Sequence, residues 1–314
     1  EYRYKLGGLT QGAVMAEVLD DRKVDDGENN SSDDWGYDND RFLRPNEDRY
    51  WFRMKHDHEL PEGFFAKLDL DIVSDQDYLR EFRNNYLGFE ETNDYFFREF
   101  GRDLDESDDP VRVNSLKISR YWNLYSLNLQ ALWYDDVNKR RHEDFDDTLQ
   151  KLPFANFGGL RQPILGSMFF WDLESEYTYF FREDSFTGHR IDIAPRVYLP
   201  LRLKNYLAFE PSVGLRETVW HIDDWDDFND ERDDSFSREL VDVRLDLSSE
   251  LDRTYKVDYE ATDRIKHTVR PQIVYDYIPP TNQDDLPEFD DIDRINQLSV
   301  VTYSVTNTLS MRYR

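Results

Sequence analysis

From residue 241 to residue 251 the odd positions carry Val241, Val243, Leu245, Leu247 and Leu251, and the even ones carry Asp242, Arg244, Asp246, Ser248 and Glu250. Successive side chains of a strand point to opposite faces, so this run makes a ribbon with one apolar and one ionic face. The same pattern puts Leu207, Phe209, Val213, Leu215 and Val219 opposite Glu210, Ser212, Gly214 and Arg216. It recurs as Phe64, Ala66, Leu68, Leu70 and Ile72 against Lys67, Asp69 and Asp71, and as Tyr125, Leu127, Leu129, Ala131 and Trp133 against Ser126, Asn128 and Gln130. Helical spacing fits none of these runs, and β-branched and aromatic residues fill them. The class they indicate is antiparallel all-β.

Between the runs the connections alternate in length. Short turns fall at Gly7-Gly8, Pro61-Glu62-Gly63, Trp122-Asn123, the Gly158-Gly159 region, Arg202 to Asn205 and after Leu251. Six acid-rich blocks, 20–48, 74–110, 135–147, 182–189, 221–239 and 280–294, make the long ones. They hold 46 of the 67 acids and 15 of the 39 bases, so the remainder of the chain is close to neutral although the total is −28. An up-and-down barrel in an outer membrane places short turns at one end and long loops at the other. Aromatics near the strand ends, such as Tyr50-Trp51-Phe52, Trp133-Tyr134, Phe180-Phe181, Trp220 and Tyr275 to Tyr277, fit the interfacial girdles of such a barrel. The expected architecture is a transmembrane antiparallel up-and-down β-barrel, present as an incomplete arc of about 12–13 strands.

So acidic a chain is a poor partner for nucleic acid, and with 15% aromatic residues it is too rich in core-forming side chains for a disordered tail. There is no cysteine, hence no disulfide, thiolate metal site or cysteine nucleophile. No window approaches the length of a membrane-crossing helix, and Glu1 opens directly into a strand-like run, as expected for the interior of a longer protein. His56-Asp57-His58 sets two imidazoles on one strand face without further zinc ligands at recognisable spacing. No phosphate loop or nucleophile elbow appears, and paired carboxylates are too numerous to single out glycosidase chemistry. No catalytic, cofactor-binding or metal residue is assigned, and the chain is read as non-enzymatic.

Particular residues carry a family likeness. The run Arg49 to Phe82 includes Tyr50-Trp51-Phe52, His56, Pro61-Glu62-Gly63-Phe64 and Ser74-Asp75-Gln76-Asp77-Tyr78. Further on come Arg190-Ile191-Asp192-Ile193-Ala194-Pro195 and Phe209-Glu210-Pro211-Ser212-Val213. Ile265-Lys266-His267-Thr268-Val269-Arg270-Pro271, Tyr275-Asp276-Tyr277-Ile278-Pro279, Gln283 and Pro287-Glu288-Phe289-Asp290 follow. Together and in this order they resemble the barrel of LptD, the lipopolysaccharide assembly family of the bacterial outer membrane. The resemblance implies insertion of lipopolysaccharide into the outer leaflet, with an LptE-like plug lipoprotein in the barrel. It further implies a periplasmic Lpt bridge that delivers lipid through an amino-terminal jelly roll. On that reading residues 1–314 are part of the carboxy-terminal barrel domain, without the jelly roll, the first strand pair and the closing strands.

The inward row would then be Lys67, Asp69 and Asp71, Arg190, Asp192 and Arg196, Asp242, Arg244, Asp246 and Glu250, and Lys266 and Arg270. Opposite charges on neighbouring strands would pair, either lining a polar route or simply stabilising a hydrated wall. No cofactor is expected, although acidic pairs such as Asp223-Asp224, Asp226-Asp227 and Asp233-Asp234 suit contact with divalent cations. Pro195, Pro211 and Pro271 fall inside apparent strands and mark bulges, weakened pairing or curvature. Two other readings stand beside this one: a porin or uptake receptor, and a soluble acidic β-sandwich that binds polysaccharide. The sandwich would bury the apolar rows and expose the ionic ones.

Overall fold

The computed structural model describes residues 1–24, 47–142, 146–204, 206–224, 233–259 and 262–313. Its backbone is an antiparallel meander. The first strands are β1 (Tyr2–Gly7), β2 (Thr10–Asp20), β3 (Asp48–Leu60), β4 (Phe64–Val73), β5 (Val111–Tyr121), β6 (Tyr125–Asp136), β7 (Gln150–Pro163) and β8 (Phe170–Phe181). There follow β9 (Thr187–Tyr198), β10 (Leu201–Leu203), β11 (Leu207–Asp224), β12 (Ser235–Ser249), β13 (Leu251–Tyr259), β14 (Thr262–Ile278) and β15 (Leu298–Tyr313). All belong to one sheet in which successive strands pair, except that β10 pairs with β11 rather than β9 and β13 with β14 rather than β12. Among the described residues the sheet is open, with β1 and β15 each paired on one side.

Two of the fifteen segments continue the segment before them. Leu199 donates to Pro211 O at 3.0 Å, and Leu201 faces Phe209 in the same register, so β9 and β10 are one arm against β11. Val243 faces Tyr277 and Leu251 faces Val269, again one register, so β12 and β13 are one arm against β14. Both interruptions lie beside prolines, Pro200 and, across from Leu199, Pro211 in one case and Pro271 in the other. A residue without an N–H leaves a gap in the ladder, and the β9–β10 and β12–β13 breaks fall beside Pro211 and Pro271, while Pro195 lies inside the unbroken β9. Fifteen segments therefore make thirteen arms, within the expected range.

Helices occupy part of the long connections: α1 (Gln76–Glu81), α2 (Phe89–Phe100) and α3 (Val137–His142). Asp75 caps α1 by accepting from Tyr78 N, and α2 ends at Gly101, whose φ of 64° is the left-handed conformation that glycine adopts freely. Reading 74–110 and 135–147 only as acidic loops missed these elements. No helix among the described residues is long and apolar enough to cross a membrane.

The contacts divide the chain into two compact units. The first comprises Glu1–Asn156, Tyr177–Arg190 and His221–Asp234. Its apolar cluster joins Trp51 and Val73 of the sheet to Tyr78, Leu79 and Phe89 of the helical connection and to Val137. A second cluster sets Phe96 of α2 against Ala13 and Met15 of β2. The second unit comprises Phe157–Glu176, Ile191–Trp220 and Ser235–Arg314. There the connection before β15 forms a 3-10 turn at Asp291–Asp293 and buries Phe289 and Asp293.

The burial of the two strand faces is the reverse of a soluble core. Val219 at 40%, Val241 at 43% and Ile273 at 43% remain exposed, while Asp192 at 4%, Thr218 at 0% and Arg238 at 2% are buried. Among the described residues, Arg49, Arg53, Arg112, Arg190 and Arg238 are large side chains that are completely buried. Full burial of arginine is rare unless it is paired. The sandwich reading required the opposite arrangement and is not met.

Candidate functional site

The polar face is built strand by strand from alternate residues. In the first unit, β3 presents Arg49, Trp51, Arg53 and Lys55 on this face and turns Tyr50, Phe52 and Met54 away. The Arg49 guanidinium meets Asp75 at 2.9 Å, Glu81 at 2.8 Å and Asp21 at 3.0 Å. Arg53 reaches Glu17 at 2.7 Å and Leu87 O at 2.9 Å, with its guanidinium 3.9 Å from the centroid of the Trp51 ring. Trp51 Nε1 donates to Asp71 at 2.8 Å, and Arg112 pairs with the same carboxylate while donating to Glu106 O and Asp105 O at 2.7 and 2.9 Å.

In the loop after α2, Arg102 bridges Asp69 and Asp57 at 2.8 and 2.9 Å. Burial alone would lower its pKa, but the hydrogen bonds and charge of those two carboxylates carry it above the ordinary arginine value. Burial pushes the Asp105 carboxyl up, against the Val113 N–H bond and the nearby Arg112 charge.

The second unit repeats the scheme with different residues. Trp220 Nε1 donates to Asp293 at 2.8 Å, and Arg238 lies 5.3 Å from the Trp220 ring centroid. Arg238 donates to Thr218 Oγ1 at 3.0 Å and to Gln283 Oε1, Ile292 O and Asp293 O, each at 2.9 Å. Farther along the same face, Asp192 accepts from Thr218 at 2.7 Å and pairs with Arg216 at 3.2 Å. Arg161 holds Glu210 through two 2.8 Å bonds, Arg196 pairs with Asp242, and Arg244 reaches Asp276 at 3.0 Å. Gly214 sits where a Cβ would strike the Asp242 carboxylate and the Arg196 guanidinium, so this strand glycine makes room for an ion pair.

Most residues expected on the inward row are therefore on the polar face and paired. Asp69, Asp71, Asp192, Arg196, Asp242 and Arg244 have the partners given above, while Asp246 accepts from Gln272 at 2.6 Å. Glu250 pairs with Arg270, and Lys266 lies 3.4 Å from Asp252. Arg190 is buried with its guanidinium 4.9 Å from the Phe180 ring, and Lys67 stays exposed across from Lys117. Sequence reasoning missed Arg49, Arg53, Lys55, Arg112, Arg238 and Asp293, and it placed Trp51, Phe180 and Trp220 in interfacial girdles, whereas all three are completely buried among the polar-face residues. The alternation along β3 and along Thr218, Trp220 and Arg238 was the available signal.

The His56 and His58 rings stack at 5.6 Å in the row shared with Phe52 and Met54. Among the described residues no group of three His, Cys, Asp or Glu side chains could hold a metal ion. Of the acidic pairs, Asp226-Asp227 and the Asp224 side chain lie outside the described residues. Asp223 accepts from His189 at 3.0 Å.

An ion-paired polar face with an apolar reverse is the cross-section of a membrane barrel wall. Residues 47–313 match the family model LptD, LPS transport system D. The chain belongs to the LptD family. The LPS-assembly protein LptD of Alkalilimnicola ehrlichii is 28% identical over 259 residues, covering 80% of this chain and 30% of that protein. Its counterpart in Nitrosospira multiformis is 26% identical over 274 residues, covering 81% and 27%, and that of Vibrio vulnificus is 22% identical over 298 residues, covering 92% and 32%. The chain thus spans about a third of the length of these curated relatives.

The segments that carry the LptD likeness have identifiable physical tasks. Arg49 to Phe82 comprises β3, its turn, β4 and α1, the elements that hold Arg49 and Trp51. Gln283 accepts from Arg238 and donates to Ile295 O at 2.8 Å, and Phe289 N and Asp290 N donate to Asp293 at 2.6 and 2.9 Å. In this chain the loop motif is what fastens the loop to the sheet.

Proposed function

We propose that this chain is part of the wall of an outer-membrane LptD barrel through which lipopolysaccharide reaches the outer leaflet without any covalent step. The observation that carries the reading is the reversed burial of the two strand faces, apolar side chains outward and ion pairs inward. A membrane supplies the only medium in which that arrangement is favourable on both sides, hydrocarbon for the aliphatic rows and a wet interior for the charged ones. The short turns face the periplasm and the long acidic connections face the cell exterior. A plug lipoprotein of the LptE kind would occupy the interior, and lipid would arrive from the periplasmic bridge through a jelly roll that lies elsewhere in the full-length protein. The phosphorylated, sugar-rich head of lipopolysaccharide suits the polar face, and its acyl chains suit the bilayer. Divalent cations would bridge exterior acids such as Asp233 and Asp234 to lipid phosphates.

The test uses full-length protein in its native membrane, with a photo-crosslinking residue placed at Arg244 or Asp246 and, separately, at Leu245 or Leu247. Transport-dependent crosslinks to lipopolysaccharide are expected from the first pair, and phospholipid or lipid A acyl crosslinks from the second. Lipopolysaccharide crosslinks absent from both polar positions while the protein is transporting would overturn the reading of this face as part of the route.

A further inference from the structure

The β12–β13 arm outruns its neighbour. Ser249 Oγ donates to Tyr206 O at 2.6 Å, so the β10–β11 hairpin ends where β12 ends. Beyond that level Leu251–Tyr259 continues as β13, paired only with β14, which is paired in turn with β15. The result is a three-stranded extension past the neighbouring short turn, with the β13 side that faces away from β14 unpaired among the described residues.

This edge lacks most of the devices that blunt sheet edges. From Leu251 to Lys256 the register against β14 is regular, without bulge, proline or glycine, and Thr254, Tyr255 and Val257 favour extended structure. A row of unpaired amides and carbonyls at strand spacing is matched by another peptide backbone and by neither lipid nor sugar. Charge identifies the kind of backbone. At the step between the hairpin and β13 lies a cavity of about 560 Å³ lined by Arg202, Lys204, Glu210, Asp246, Glu250 and Asp252, among others. All four acids are held by their own partners, Arg161, Gln272, Arg270 and Lys266. Arg202, Lys204, Arg253 and Lys256 have no carboxylate partner among the described residues.

We propose that the free edge of β13, over Leu251 to Val257, is a docking site for an extended acidic polypeptide strand that adds to the sheet at its short-turn end. Its backbone completes the ladder, and its carboxylates meet Arg202, Lys204 and Lys256 on the polar face and Arg253 on the other. That this end faces the periplasm rests on the function proposed above; the strand addition itself does not.

Hydrogen exchange by mass spectrometry on the full-length protein, assembled in the membrane with its partners, tests the backbone claim. Alternate amides of 251–257 should exchange as slowly as those of β14. A photo-crosslinking residue at Thr254 should capture an acid-rich peptide segment, mapped by sequencing the crosslink. Reversing Arg202, Lys204 and Lys256 to Glu should cut that capture by roughly tenfold, whereas Arg202→Lys should leave it intact. Fast exchange across 251–257 in the assembled protein, or crosslinks to lipid or lipopolysaccharide alone, overturns the proposal. Neither readout depends on whether transport occurs, so the two claims fail separately.

Discussion

Asp293 is the keystone of the loop before β15, and Asp293→Ala tests how that loop is held. The carboxylate is completely buried and accepts from Trp220 Nε1 at 2.8 Å, Phe289 N at 2.6 Å and Asp290 N at 2.9 Å. Alanine leaves those donors without an acceptor while the loop is docked, and water satisfies them once it lifts. An unsatisfied buried donor costs about 1–3 kcal/mol, so even partial relaxation leaves about 3 kcal/mol against the docked state. That raises the lifted population by roughly 100-fold. Arg294 reports the lifting, because docking ties its guanidinium to Leu286 O and Pro287 O at 2.6 and 3.2 Å. Trypsin cleavage after Arg294, followed by mass spectrometry on full-length protein in nanodiscs, tracks the open population when opening is fast. Cleavage should accelerate by roughly two orders of magnitude in Asp293→Ala. It should rise less in Asp293→Asn, which keeps one acceptor oxygen. Glu288→Ala is the control, since its 3.5 Å contact with Arg294 is largely exposed and contributes little. A cleavage rate for Asp293→Ala indistinguishable from wild type would refute the account of the loop as latched by this carboxylate.

Leu245→Arg puts a charge in the apolar row and should lower folding stability in lipid vesicles by about 2–4 kcal/mol near the midplane, whereas Ser248→Arg on the polar face should be nearly neutral, both read by denaturant titration. Gly214→Ala drives a methyl into the Arg196–Asp242 pair and should lower the melting temperature, while Arg196→Met combined with Gly214→Ala should lose little more. Asp105 has a folded-state pKa raised by burial. Its contribution to stability is therefore fully present below the unfolded carboxylate value and is lost as pH rises through the folded one. Melting temperature should fall with rising pH across that window in wild type and stay flatter in Asp105→Asn, whose side-chain oxygen can still accept from Val113 N.

The strand faces were legible because period two is a local signal: Asp242, Arg244 and Asp246 could be assigned to one face without knowing their partners. The number of arms was legible because turns and acid-rich connections announce themselves in composition. The destination of those connections was not. Asp75 and Arg49 lie 26 residues apart, and Arg112 and Asp71 lie 41 apart, so their pairing depends on a register that no local window contains. Counting charge by block made 74–110 a solvated loop, whereas Phe89, Thr92 and Phe96 are spaced to give α2 a buried side. The β13 extension escaped for a similar reason, since it is a difference between the lengths of two neighbouring arms.

The choice of arginine over lysine on the polar face has a physical reason that yields a further test. Arg112 holds Asp71 and two loop carbonyls at once, and Arg238 holds Thr218, Gln283 and two loop carbonyls. A guanidinium has five donors in a planar fork, so one group can satisfy a strand side chain and a loop backbone together. Carbonyl oxygens neutralise its hydrogen-bonding demand without adding charge, which lets the acid-rich connections fold onto the sheet. An ammonium keeps the charge but concentrates it in one atom with three donors. Arg238→Lys should thus release the 280–294 loop while leaving the net charge unchanged. Its cleavage at Arg294 should rise by roughly tenfold or more for each carbonyl bond lost, at about 1.5–3 kcal/mol per charged hydrogen bond. If Arg238→Lys behaves as wild type while Arg238→Met does not, charge alone fastens the loop, and the fork geometry is irrelevant.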